Sequence, residues 1–203
     1  MPTKLRRCPV PAALLCFLVC GLAACAPSHR RIDPDVYDDV GGGGTDSQDV
    51  RTMADRMARD LLAQRHLFVG EGRPTLYIMG LQNNGSHPID RELVLELIQT
   101  KLVQHSAGRL RVLDRNSASL EAIRAERKAK REGAVRGSGK KDLLGSDYVL
   151  TGTVRTITKR GRKGMSSDYW VYNFKLTDLE SSELLWTKVY DFKWVGNKPA
   201  VYR

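Results

Sequence analysis

The side chains able to do chemistry are few and poorly placed for it. Cys8, Cys16, Cys20 and Cys25 all fall within the first 25 residues, so neither a disulfide framework nor a zinc ribbon can organise the rest of the chain. His29, His66, His87 and His105 stand in four separate contexts with no second ligand three or four residues away. That spacing offers no metal site. Gly137-Ser138-Gly139-Lys140-Lys141 resembles the tail of a phosphate-binding loop, but Ala134 replaces the leading glycine and Lys141 takes the place of the hydroxyl. The segment also precedes only a short helical turn, expected over 140–144, whereas a phosphate cradle needs strand, glycine loop and helix N-terminus together. No serine stands in a G-x-S-x-G elbow, and Asp178, Glu180 and Glu183 gather at a turn rather than across a cleft. Without a nucleophile, a carboxylate pair or a cofactor cradle, the sequence reads as non-catalytic, with no cofactor and no small-molecule substrate.

What remains is charge. The 203 residues hold 33 Lys and Arg against 23 Asp and Glu, a net charge of +10, and the excess is grouped. Arg124, Arg127, Lys128, Lys130 and Arg131 follow one another on a helical stretch, Arg136, Lys140 and Lys141 come next, and Lys159, Arg160, Arg162 and Lys163 crowd a later loop. Arg124, Arg127, Lys128, Arg131, Lys159, Arg160, Arg162 and Lys163 form the candidate partner-binding patch. In a cytoplasmic protein such groups would suggest nucleic acid. The leader described next removes that partner and leaves acidic protein surfaces, anionic lipid headgroups or cell-wall polymers. A solvated face whose charge serves only solubility is the competing reading.

Lys4, Arg6 and Arg7 precede an apolar run over 12–24 that is long enough for a signal peptide and too short to span a bilayer comfortably. The run closes as Leu22-Ala23-Ala24-Cys25, which looks like a bacterial lipobox. Cleavage between Ala24 and Cys25 would make Cys25 the acylated N-terminus, and two or more acyl chains suffice for stable anchoring. An ordinary secretory signal cut at an A-x-A site is the alternative. Ala26 is not an aspartate, which in the enterobacterial sorting pattern favours the outer membrane, with the domain facing the periplasm. Residues 1–24 are thus the signal, 25–49 a lipidated N-terminus and flexible tether rich in Asp and Gly, and 50–203 one globular domain. The tether carries Pro27, Pro34, four consecutive glycines over 41–44 and the acidic cluster Asp33, Asp35, Asp38 and Asp39, a composition unable to offset its ordering entropy.

The elements that must position the patch follow from periodicity. Val50, Met53, Ala54, Met57, Leu61 and Leu62 mark an amphipathic helix ending near His66. Residues 75–81 are apolar on both alternations, as in a central strand covered on both faces. Asp90 is an N-cap for a helix carrying Leu93, Val94, Leu97, Ile98 and Leu102. Residues 110–113 form a short strand, and the two strands with their helical crossover make a right-handed β-α-β unit. A third helix from Ser117 turns polar after Ile123, so its far end projects into water. Most of the aromatic residues lie from Tyr148 onward. Strands are expected over 148–158, 169–178 and 184–195, with Trp170, Tyr172, Phe174 and Leu176 sharing one face, a loop over 159–168, and a hairpin turn over 180–183. The order α-β-α-β-α-β-β-β gives an α+β fold: a mixed sheet of about five strands flanked by helices.

Taken together, the lipobox, Leu76-Tyr77-Ile78-Met79-Gly80-Leu81-Gln82-Asn83 followed by Ile89-Asp90, the strand end Arg111-Val112-Leu113-Asp114-Arg115, Tyr148-Val149-Leu150-Thr151-Gly152-Thr153-Val154, and Tyr172-Asn173-Phe174-Lys175-Leu176-Thr177-Asp178 before Leu185-Trp186 resemble the LpoB family of penicillin-binding protein activators. The resemblance implies a fold similar to the N-terminal domain of TolB. It also implies an outer-membrane lipoprotein that binds and activates a class A penicillin-binding protein, a peptidoglycan synthase, without catalysis of its own. Enterobacterial members carry a long Pro-rich tether; this one is short and Gly-rich. A second class, an envelope assembly or secretion lipoprotein of the CsgG-like or flagellar outer-membrane type, shares the fold. It would need membrane-spanning strands that the charged residues Arg155, Lys175 and Lys188 disfavour.

Overall fold

The computed structural model describes residues 31–36, 45–68, 72–137 and 141–197. Ala24, Cys25 and the rest of the leader, the four glycines over 41–44 and Lys140 lie outside them. Contacts divide the chain into residues 1–33 and 34–203, and the fold below belongs to the second unit.

Helix α1 (Ser47–Ala63) starts three residues ahead of the apolar stripe because Asp46 caps it: the Asp46 carboxylate accepts from the Ser47 N–H while Asp49 accepts from the Asp46 N–H. This reciprocal box satisfies donors that a helix start otherwise leaves exposed. The stripe read from the sequence is buried in full, from Val50 through Leu62. Strand β1 (Thr75–Asn83), helix α2 (Arg91–Ser106), strand β2 (Arg111–Leu113), helix α3 (Ser117–Arg131) and strands β3 (Tyr148–Arg160), β4 (Met165–Asp178) and β5 (Leu184–Asn197) complete the predicted order. The sheet runs β2-β1-β3-β4-β5, with β1 parallel to both neighbours and β3, β4 and β5 antiparallel.

One core joins α1 and α2 to one face of this sheet. Its centre is the predicted alternation on β4: Trp170, Tyr172, Phe174 and Leu176 are all at most 1% exposed. Phe192 of β5 stacks on Trp170 at 6.2 Å and on Tyr172 at 5.9 Å between ring centroids. Gly152 of β3 is required here, since a Cβ on it would meet Leu81 at 2.7 Å and Phe174 at 2.9 Å. Two carboxylates of α1, eleven residues apart and so on one helix face, fasten it to β5. Asp49 accepts from the Trp194 indole at 2.9 Å, and Asp60 pairs with Lys188 at 2.9 Å. Where β1 and β3 begin, the Thr75 N–H donates to the Asp147 carboxylate at 2.7 Å and the Asp147 N–H donates back to the Thr75 hydroxyl at 2.9 Å.

The structure corrects three expectations. Residues 159–168 are not a loop, because β3 and β4 continue until a four-residue turn over 161–164. There Lys163 and Gly164 adopt positive φ (55° and 76°) and the Gly161 N–H bonds Met165 O at 2.8 Å. Charge did not end these strands because Lys159, Arg160, Arg162 and Lys163 all stand in solvent. Residues 141–144 form no helical turn; the carbonyls of Lys141 and Leu144 instead accept from Arg127 and Arg115, at 2.8 and 2.6 Å. Finally, β1 is central but not covered on both faces, since Met79 is 62% exposed.

Candidate functional site

The uncovered face of the sheet gathers most of the exposed, mixed polar and apolar side chains of β3, β4 and β5. Strand alternation turns Thr151, Thr153, Arg155 and Ile157 of β3 away from the helices, and their cross-strand partners Lys175, Asn173, Val171 and Tyr169 of β4 turn with them. On β5 the same rows continue as Thr187, Val189, Asp191 and Lys193. The face is therefore polar and apolar in patches, with Met79, Ile157 and Met165 each at least half exposed.

A register shift between Ile78 and Gly80 bulges β1 at its middle, and such a bulge bends the strand and re-aims its side chains. The result is a hollow of about 400 Å³ lined by Gln82, Arg91, Thr151, Thr153, Asn173 and Lys175 among others. Among the described residues neither Arg91 nor Lys175 forms an ion pair. Two cations beside amide and hydroxyl groups suit a carboxylate or another anionic group on a partner surface. The sequence carried a signal for this face: the residues alternating with Trp170, Tyr172, Phe174 and Leu176 are Val171, Asn173 and Lys175. Its hollow could not be read, because the β1 bulge and the arrival of Arg91 from α2 are tertiary.

The predicted basic residues occupy two separate elements. Arg124, Arg127, Lys128 and Arg131 lie on α3, none of whose residues is buried. Of these Arg127 is bound to Lys141 O, and Lys128 faces Glu132 at 3.9 Å. Lys159, Arg160, Arg162 and Lys163 surround the β3–β4 turn and are exposed. No hydrogen bond or ion pair joins the two groups among the described residues.

A third cluster, missed in the sequence, fastens the loop after β1. Asp168, fully buried on β4, accepts from the Thr158 hydroxyl at 2.5 Å, and His87 Nε2 lies 3.7 Å from its Oδ1. Ser86 Oγ lies 3.2 Å from His87 Nδ1, and the imidazole sits 5.3 Å from the Trp170 ring. The sequence Ser–His–Asp invites comparison with a nucleophile relay. A relay needs its base and orienting carboxylate within hydrogen-bond reach, and 3.7 Å exceeds it, so the cluster reads as a loop fastening. Between the helices, Asp55 binds Arg59 at 2.7 Å and His105 at 2.8 Å. The Arg59 guanidinium, aided by His105, holds its carboxyl down at about 2. Burial pushes the Asp49 carboxyl up despite its bond from Trp194. No group of three His, Cys, Asp or Glu side chains that could hold a metal occurs among the described residues, and no helix among them is long and apolar enough to cross a membrane.

These features define an α+β domain in which helices cover one face of a mixed five-stranded sheet and leave the other face open among the described residues. The chain belongs to the family of the peptidoglycan-synthase activator LpoB, whose model matches residues 49–192. That family regulates a synthase rather than catalysing a reaction of its own. Similar solved structures include the LpoB C-terminal domain from Salmonella enterica (11% identity, TM-score 0.43) and from Escherichia coli (12%, 0.42), each covering 71% of this chain and 98% of the other. The lipoprotein GNA1162 from Neisseria meningitidis is similar at 17% identity and TM-score 0.37, covering 63% of this chain and 88% of its own. No curated protein matches the chain at a significant level.

Proposed function

We propose that this chain is an outer-membrane lipoprotein, anchored through acylated Cys25, whose domain faces the periplasm and activates a class A penicillin-binding protein by binding it. The observation that carries this reading is the family match over residues 49–192, and the lipobox-like Leu22-Ala23-Ala24-Cys25 supports the anchor. Binding alone is enough for activation: a regulator that contacts the active conformer of a synthase more favourably shifts its population by that difference in affinity. The contact surface proposed is the open sheet face around Arg91 and Lys175, continued by Lys159, Arg160, Arg162 and Lys163 at the β3–β4 turn. The α3 group, Arg124, Arg127, Lys128 and Arg131, forms a second basic surface for the same partner.

The test measures glycan polymerisation by the host's class A synthase with and without the purified chain, beside a pull-down of the same pair. Stimulation by the wild-type chain is expected. Its loss in an Arg91→Glu, Lys175→Glu variant that keeps its circular dichroism would place the contact on the open face. A synthase neither bound nor stimulated would remove the reading.

A further inference from the structure

The outer edge of the sheet carries a message that the synthase reading does not use. Among the described residues strand β5 is the terminal strand on that side and runs for 14 residues, paired with β4 in regular register from Trp186 to Asn197. Edge strands of this length expose a row of backbone donors and acceptors, and proteins usually blunt them with proline, bulges or scattered lysines. Here the only register shift lies before Trp186, the strand contains no proline, and of its two lysines Lys188 is turned to Asp60 of α1 at 2.9 Å, which leaves Lys193 as the lysine on the outer stretch.

Residues 189–195 read Val-Tyr-Asp-Phe-Lys-Trp-Val, which is a palindrome in chemical type about Phe192. Aromatic residues flank the centre at 190 and 194, opposite charges at 191 and 193, and valines at both ends. When two such strands pair antiparallel about a two-fold axis through Phe192, every row matches itself. Asp191 falls opposite the second copy's Lys193 twice over, Val189 opposite Val195 twice over, and Tyr190 opposite Trp194. The charged and valine rows lie on the open face, where Asp191 and Lys193 are exposed and Val189 and Val195 are 49% and 62% exposed. Directly opposed unlike charges and β-branched pairs are the contacts that stabilise antiparallel strands. On the other face, a groove of about 690 Å³ between α1 and β5, lined by Thr52, Arg56 and Tyr190 among others, runs beside the same edge.

We infer that β5 is a homodimer interface: two copies pair their β5 strands antiparallel with Phe192 on the axis, joining two five-stranded sheets into one. An isologous contact of this kind closes on itself and consumes the exposed edge of both copies, so it does not propagate into fibres.

The test uses the full chain in detergent, followed by sedimentation velocity across a concentration series. A monomer–dimer equilibrium is expected. Asp191→Lys alone and Lys193→Asp alone each turn two attractive pairs into two repulsive ones and weaken dimerisation by at least about tenfold. The double variant D191K/K193D restores the complement and recovers the wild-type equilibrium. Register is read independently with exposed cysteines. Val189→Cys and Val195→Cys chains oxidised separately give no covalent dimer above the wild-type background, whereas an equimolar mixture of the two does. A chain that stays monomeric throughout, single reversals that leave the dimer unchanged, a folded double variant that fails to recover it, or a mixture that does not crosslink would each overturn the inference.

Discussion

Two regions of this domain are built on opposite principles. The α1–β4–β5 half stacks Trp170, Tyr172 and Phe192 and buries Phe174 beneath a helix whose apolar stripe is wholly buried. Helix α3 and the segment that follows it bury none of the helix's side chains and are held by single bonds such as Arg115 to Leu144 O and Arg127 to Lys141 O. The first region draws its stability from apolar area removed from water. The second is held by exposed polar contacts, each worth little. The domain thus separates what keeps it folded from what it can present, move or exchange.

The comparison breaks hardest at Trp170. Trp170→Ala is expected to cost about 3–5 kcal/mol by urea unfolding, because a fully buried indole leaves a cavity its stacked neighbours cannot fill. Asp147→Ala should cost about 2 kcal/mol, since it removes a charged acceptor from the Thr75 N–H. It should also raise amide exchange at the start of β1 and β3 before that of α1.

Asp55 sharpens the comparison through pH. Its folded carboxyl is depressed to about 2 by Arg59 and then His105. Its contribution is therefore fully present above the ordinary carboxylate range and is lost as pH falls from about 4 through 2. With the side chain 30% exposed, that contribution is about 1 kcal/mol after solvent screening. Asp55→Asn should lose it at neutral pH and flatten the acid limb of the stability curve. The smallest effect belongs to α3: Ile123→Ala, at a half-buried position, should change stability by only about 0.5 kcal/mol in urea unfolding.

Legibility in the sequence follows the same division. The α1 stripe and the β4 alternation were plain because burial enforces a period of 3.6 or 2 on the apolar residues. The parallel half of the sheet followed from the β-α-β order, and the antiparallel hairpin from the turn before β5. The strands flanking Gly161 could not be traced to their ends, since exposed Lys159, Arg160, Arg162 and Lys163 look the same in a loop as in a solvated hairpin. The helical turn expected over 140–144 failed because Arg115 and Arg127 take the carbonyls that a turn would use. Of the candidate site, the basic residues were visible as a group in the sequence but fall on two elements. The open face lay hidden in the positions between the aromatics, and the Ser86–His87–Asp168 fastening joined residues too far apart in the chain to be seen.

The small clasp at the start of α1 has a mechanical consequence. Asp35 grips Arg51, and Ser47 Oγ donates to Pro34 O at 3.0 Å, so positions 34 and 35 are tied to the first turns of α1. A pull from the N-terminal side then enters the body near position 34 while the clasp holds. Exposed ion pairs yield easily, so under tension this clasp gives way before the buried stripe of α1 does.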